Sequence, residues 1–264
     1  MDRPTPPRRR DHSPAPPDAA GLCALNTALL RRAGARLGWA GDLSPDAVAG
    51  FERYAAELVV WNRRFNLTRI TRPDHIAIQH FLDSLVCLRG VPAIWGPSVR
   101  CIDVGTGAGL PGIPLKLVRP GWRLTLVDSV GKKVAFLRHV VEVLDLTDVE
   151  VLHARAEDVA RDPARGGSYD LAVARAVAAL PVLAAYALPL LRPGGRMVAL
   201  KGAAIADELA AVAPVLESLG GRLIEAQPYR LPGIDHVRHL AIVERVRAWP
   251  DAAPRGSGAA RRGL

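Results

Sequence analysis

Residues 101–115 read Cys-Ile-Asp-Val-Gly-Thr-Gly-Ala-Gly-Leu-Pro-Gly-Ile-Pro-Leu: a short apolar run, then Gly105, Gly107 and Gly109 at alternate positions. Glycines so spaced let a chain turn sharply and bring its backbone against a ligand. Two ligand chemistries compete for the loop. Gly107-x-Gly109-x-x-Gly112 satisfies the dinucleotide fingerprint, and Asp128 lies 21 residues on, where a ribose-binding acid belongs. That register, however, starts three residues after the apolar run ends, with Pro111 where a helix must open toward a pyrophosphate. In the register Asp103-x-Gly105-x-Gly107-x-Gly109 the first glycine directly follows the run, next to Val104. Its acid repels a pyrophosphate and suits a ligand with a cationic ammonium. S-adenosylmethionine fits that description and is the favoured ligand; NAD is the alternative. Asp128 is placed to accept the ribose hydroxyls, and Glu157, in His153-Ala-Arg-Ala-Glu-Asp158, to reach the adenine edge.

A second constellation is Trp61-Asn-Arg-Arg-Phe-Asn-Leu-Thr-Arg-Ile-Thr-Arg72, with Arg63, Arg64, Arg69 and Arg72, two aromatics and no acid. Cations for phosphates and flat rings for bases are the footprint of an RNA-binding surface; a solvated helix end is the alternative. Asn66 and Thr68 serve either as a turn cap or as part of a substrate cleft. Arg175 closes the fourth strand at the cleft edge, Lys201 closes the fifth, and Lys201 and Arg238 are further candidates for phosphate contact. Among the histidines, His139 and His153 read as structural, and His80 and His239 as candidates for the substrate side. Cys101, inside the first strand, reads as core.

These groups need a scaffold, and the 264 residues supply one. With 49% apolar, 23% charged and 5% aromatic residues, the chain has a globular composition in which Leu, Val and Ala fill the core. Short β-rich runs at 100–104, 123–128, 149–153, 169–174, 196–201, 222–227 and 239–246 alternate with helical stretches, which implies an α/β, doubly wound, mostly parallel sheet. Ahead of them, helical patterns cover 22–38, a helix from the Ser44-Pro45 cap through Trp61, and about 74–88. The expected organisation is a Pro/Arg-rich disordered tail at 1–20, a helical N-terminal segment at 21–98, the sheet domain at 99–248 and a disordered basic tail at 249–264. Of the net charge of +9, the ordered N-terminal third carries +4, the largest share of any segment, and only four of the 35 bases are Lys. Arginine of this kind suits phosphate recognition, although a GC-rich genome gives the same bias. No stretch is apolar enough to span a membrane, no apolar segment follows the basic N-terminus as in a secretory signal, and the cysteines form no CxxC pair for zinc. A cytoplasmic monomer with no metal is the expectation.

The segments DVGTGAGLPGIPL, LVDSVGKKVAFLRHV, ARAED, AVARAV and ALKG, with NLTRI and HFLDSL upstream, resemble the bacterial 16S rRNA guanine-N7 methyltransferases, also called the glucose-inhibited division protein B family. The similarity covers about residues 45–247. It implies a class I S-adenosylmethionine-dependent methyltransferase fold, a Rossmann-like seven-stranded sheet behind a helical N-terminal segment. It also implies methylation of one guanine N7 in a 16S rRNA loop near the decoding centre, with 16S rRNA or the 30S subunit as partner. Carried over residue by residue, the cofactor contacts fall on Gly105, Leu110, Asp128, Ala156, Glu157 and Arg175. Both tails exceed the family pattern, and 161–167 looks like a small loop insertion. Guanine N7 holds a free lone pair at neutral pH, so its methylation requires alignment rather than a general base. Accordingly no catalytic acid or base stands out. Another class I methyltransferase, an NAD-dependent oxidoreductase and an RNA-binding assembly factor without catalysis are the competing readings.

Overall fold

The computed structural model describes residues 24–247, so the disorder expected of both tails lies outside the described residues. Seven strands form one sheet in the order β3-β2-β1-β4-β5-β7-β6: β1 (Arg100–Val104), β2 (Arg123–Asp128), β3 (Val149–His153), β4 (Tyr169–Arg175), β5 (Leu191–Lys201), β6 (Gly221–Tyr229) and β7 (Arg238–Arg245). The first five run parallel, and β7 lies antiparallel between β5 and β6. The chain builds outward from β1 through β2 to β3, then returns to lay β4 on the other side of β1. That reversal opens a crevice beyond the carboxyl ends of β1 and β4, where open α/β sheets bind ligands.

Alternation along the strands divides the core in two. Cys101, Leu171, Val173, Val198, Leu240 and Ile242 face one apolar cluster, while Ile102, Val104, Ala172, Met197, Ala241 and Val243 face the other. The second cluster is covered by α7 (Ala156–Arg161), α8 (Leu180–Ala187) and α9 (Ala206–Leu219). The first is covered by α5 (Gly112–Val118), α6 (Gly131–Val143) and the whole helical N-terminal segment, including Leu30, Phe51, Leu58 and Phe81. Residues 24–98 therefore share the core of the sheet and fix one wall of the crevice.

Several element ends differ from expectation for local reasons. The first helix, α1 (Thr27–Arg36), starts only at its cap, where the Asn26 side chain accepts from the Leu29 N–H. Helix α2 (Pro45–Phe65) opens on the Ser44 cap as read, but it continues past Trp61 through Arg63 and Arg64 and stops at Asn66 in the left-handed conformation. Cations in the last turn and an Asn C-cap both stabilise that extension. Strand β5 begins at Leu191, ahead of Arg196, because Leu191 pairs with Tyr169 across a register shift. The third helical pattern is a composite: α3 (Pro73–His75), a π-helical stretch Ile76–Leu82, α4 (Asp83–Leu85) and a 3-10 stretch Val86–Gly90. It is buried nearly all round, so inward-facing His80, Asp83 and Ser84 must be satisfied inside the protein. Ser84 Oγ does so locally, donating to the His80 carbonyl at 2.5 Å.

Candidate active site

The turn after β1 carries positive φ at Gly105, Gly107 and Gly109. A Cβ at Gly105 would lie 2.8 Å from Val177 Cγ2, whereas one at Gly107 would meet nothing nearer than 3.9 Å. The Gly107 position is thus an open cradle that a side chain would fill. Three anchors hold the loop. Thr106 N–H donates to the Val127 carbonyl at 3.0 Å; Gly107 N–H donates to Asp128 Oδ2 at 2.9 Å; and the Tyr54 hydroxyl, reaching from α2, donates to the Ala108 carbonyl.

Asp103 has a different task from the one its position suggests. Its Oδ2 accepts from the Thr106 hydroxyl at 2.6 Å and the Gly112 N–H at 2.8 Å, so the carboxylate staples the loop internally and does not stand open to a ligand's ammonium. The side chain is fully buried, and burial raises its pKa to about 7 against the lowering effect of those two hydrogen bonds. Asp128, at the end of β2, also takes the Val130 N–H at 2.9 Å and Lys133 Nζ at 3.3 Å. Leu110 is buried in the loop, Ala156 is buried at the start of α7, and Glu157 is partly exposed in its first turn.

At the end of β4 the structure assembles a network that the sequence reading missed. Arg175 Nη1 donates to the Gln79 carbonyl at 2.8 Å and lies 3.3 Å from Asp83 Oδ2, while Nη2 lies 3.2 Å from His80 Nδ1. Arg238 Nη1 donates to the same Asp83 oxygen at 2.7 Å, and the Tyr229 hydroxyl donates to Asp83 Oδ1 at 2.7 Å. Asp83 is completely buried. Burial, reinforced by the Asp83 carboxylate, holds the Tyr229 phenol well above its ordinary range. The available signal was an Asp and a His inside the apolar block HFLDSL, where a charge requires a buried partner. Arg238 is therefore committed to an internal ion pair. So is Lys201, 2.7 Å from both the Ala178 carbonyl and Glu208 Oε2. Both depart from the expected role of free phosphate ligands for the same reason: their charge is already neutralised.

The 63–72 window behaves otherwise. Arg63, Arg64, Arg69 and Arg72 are exposed, and none forms an ion pair among the described residues. Trp61 is not the stacking ring expected of it, because it is buried with its ring against Phe65, Phe136 and His139. Phe65 is partly buried and lies under the Arg64 guanidinium. Asn66 is the α2 C-cap and, with residues 67–70, lines an open cleft of about 640 Å³. Thr68 Oγ1 lies 2.9 Å from His80 Nε2 and accepts from the Ile70 N–H at 3.0 Å. The remaining histidines have local partners: His139 pairs with Glu57 at 2.6 Å, His153 approaches the Ser129 carbonyl at 3.2 Å, and His239 the Gly202 carbonyl at 3.1 Å. Cys101 is buried core, and burial pushes its thiol up.

The family model described as rRNA small subunit methyltransferase G matches residues 47–227. The chain belongs to that family. Ribosomal RNA small subunit methyltransferase G of Roseiflexus sp. (strain RS-1) is 49% identical over 221 residues, covering 83% of this chain and 92% of the relative. Its counterpart in Chloroflexus aggregans is 46% identical over 221 residues, covering 83% and 91%. Among solved structures, TrmN from Thermus thermophilus is similar at 21% identity and a TM-score of 0.47, covering 62% of this chain and 48% of that one. As a member of the rRNA small subunit methyltransferase G family, the chain has the class I methyltransferase fold and is an S-adenosylmethionine-dependent rRNA methyltransferase. The open cradle at Gly107, beside a strand-end carboxylate, fits that cofactor.

Proposed function

We propose that the protein methylates N7 of one guanine in 16S rRNA, in a loop near the decoding centre, presented as 16S rRNA or within the 30S subunit. The observation that carries this reading is a chain of contacts: Arg175 to His80 at 3.2 Å, then His80 to Thr68 at 2.9 Å. It ties the 66–70 loop, which carries Arg69, to the mouth of the glycine-loop crevice, which supports entry there of an RNA docked on the arginines.

In this reading Gly105, Gly107, Gly109 and Leu110 wrap the cofactor with backbone and apolar surface. Asp128 accepts from its ribose, and Ala156 and Glu157 border its adenine. Arg175 keeps its Nε–H and one Nη2–H outside the hydrogen bonds it makes within the protein, free for the cofactor's carboxylate. Arg63, Arg64, Arg69 and Arg72 hold phosphates, with Asn66 at the loop's entry. The bound cofactor supplies an electrophilic methyl group. The protein's part is to hold the base so that its N7 lone pair lies in line with that methyl, and to exclude water. The incoming atom carries no proton to remove, and the buried groups near the site suit a positioning role: His80 is neutral, Asp103 is turned inward and the Tyr54 phenol is held by its bond to the loop.

The test is methyl transfer in vitro from labelled cofactor to 30S subunits and to protein-free 16S rRNA. Borohydride–aniline cleavage and primer extension then locate the product. A single new cleavage site supports the proposal; label without an aniline-labile site, or no label on either substrate, contradicts it.

A further inference from the structure

Thr68 has a hydroxyl whose hydrogen-bonding roles are dictated by its neighbours. On the far side of His80, Nδ1 faces Arg175 Nη2 at 3.2 Å. A guanidinium has only donors to offer, so Nδ1 must present its lone pair. Burial, aided by the adjacent Arg175 charge, lowers the His80 pKa to about 3 against a raising contribution from the Gln79 backbone, so the ring is neutral; with Nδ1 turned to the guanidinium, its one proton sits on Nε2. Nε2–H therefore donates to Thr68 Oγ1 across 2.9 Å, and the Ile70 N–H donates to the same oxygen across 3.0 Å. Both lone pairs of the hydroxyl are then in use. It retains one role, that of donor. Among the described residues no acceptor takes this proton, and Thr68 is partly exposed on the cleft lined by residues 66–70.

We propose that Thr68 is a specificity-determining residue that gives its O–H to O6 of the guanine being methylated. The assignment rests on the guanine-N7 reading above. Guanine presents N7 and O6 as neighbouring acceptors on one edge, whereas adenine places an N6 amino donor beside N7. A hydroxyl locked as a donor is satisfied by the first edge and meets a second donor on the other. Arg175 thereby acts at two removes: it fixes the His80 tautomer, and the tautomer fixes the polarity of Thr68.

The experiment is a cycle between protein and base. 30S subunits are reconstituted with 16S rRNA bearing either guanine or 2-aminopurine at the target position; 2-aminopurine keeps N7 and lacks O6. Wild type, Thr68→Val and Thr68→Ser are compared for kcat/KM on each, and calorimetry gives cofactor affinity. Thr68→Val should lose about 10–100-fold on guanine, the scale of one hydrogen bond to a buried group, with cofactor affinity unchanged and Thr68→Ser close to wild type. On 2-aminopurine, wild type and Thr68→Val should be equally slow. If Thr68→Val loses the same factor on both bases, its role is merely structural and the proposal is overturned; undiminished transfer to guanine overturns it too. Should Thr68→Val lose cofactor binding, Thr68→Ala is read in the same cycle. A wild type that leaves the guanine N7 unmethylated overturns the function reading itself, a result distinct from failure of the cycle.

Discussion

Two sets of arginines carry the same charge in this protein and put it to opposite uses. Arg175 and Arg238 converge on buried Asp83, with 15% and 18% of their side chains exposed. Arg63, Arg64, Arg69 and Arg72 are exposed and unpaired among the described residues. The first set holds the end of β4 against the 73–90 helix and so shapes the crevice. The second set remains available for a polyanion. Net charge does not distinguish them, because it counts a neutralised guanidinium and a free one alike.

The largest effect is expected at the centre of the committed set. Asp83→Ala leaves two partly buried guanidinium groups and the Tyr229 hydroxyl without their acceptor. Urea unfolding should show a loss of about 3–5 kcal/mol, the usual consequence of removing one partner of a buried ion pair. A loss below about 1 kcal/mol, the range of a surface pair, would erase the distinction between the two sets.

Next comes Asp103, whose folded-state pKa of about 7 lies above its ordinary 3.8. The folded protein therefore holds this proton more tightly than the unfolded chain. The contribution to stability is fully present below about pH 4 and is lost as pH rises through about 7. Asp103→Asn should flatten that limb when urea midpoints at pH 5 and pH 8 are compared. An unchanged slope would mean that the carboxyl is not buried as described.

A smaller loss is expected for cofactor binding in Asp128→Asn. A lost charge-assisted hydrogen bond lowers affinity by about 1.5–3 kcal/mol. Here an amide must also replace one of two oxygens that accept the Gly107 and Val130 N–H groups. Calorimetry gives the number, and a change under about 0.5 kcal/mol, less than a typical net hydrogen bond, would move the ribose elsewhere.

Much of this was legible in the sequence because the signals were local. Alternating strands gave the parallel sheet, the glycine spacing gave the loop, and Ser44-Pro45 gave the start of α2. The misses were non-local. Whether Arg238 is free depends on Asp83, 155 residues away in sequence, and no window contains both. Trp61 looked like a stacking ring because its neighbours are polar, but it sits on the α2 face that packs on Phe136. The place of Asp103 before the glycines suggests a contact with the ligand, whereas Thr106 and Gly112, folding back over it, fix its role.

The distinction between free and committed arginines meets its most direct test in the salt dependence of rRNA binding. For the variant with Arg63, Arg64, Arg69 and Arg72 all changed to Gln, the log–log slope should fall by roughly 3, at about 0.7 per single-strand phosphate contact. Affinity and methyl transfer should fall with it, and cofactor affinity should hold. Arg238→Gln should lower stability and leave the slope nearly unchanged. A quadruple variant with wild-type slope, or an Arg238→Gln variant whose slope falls as far, would contradict the account.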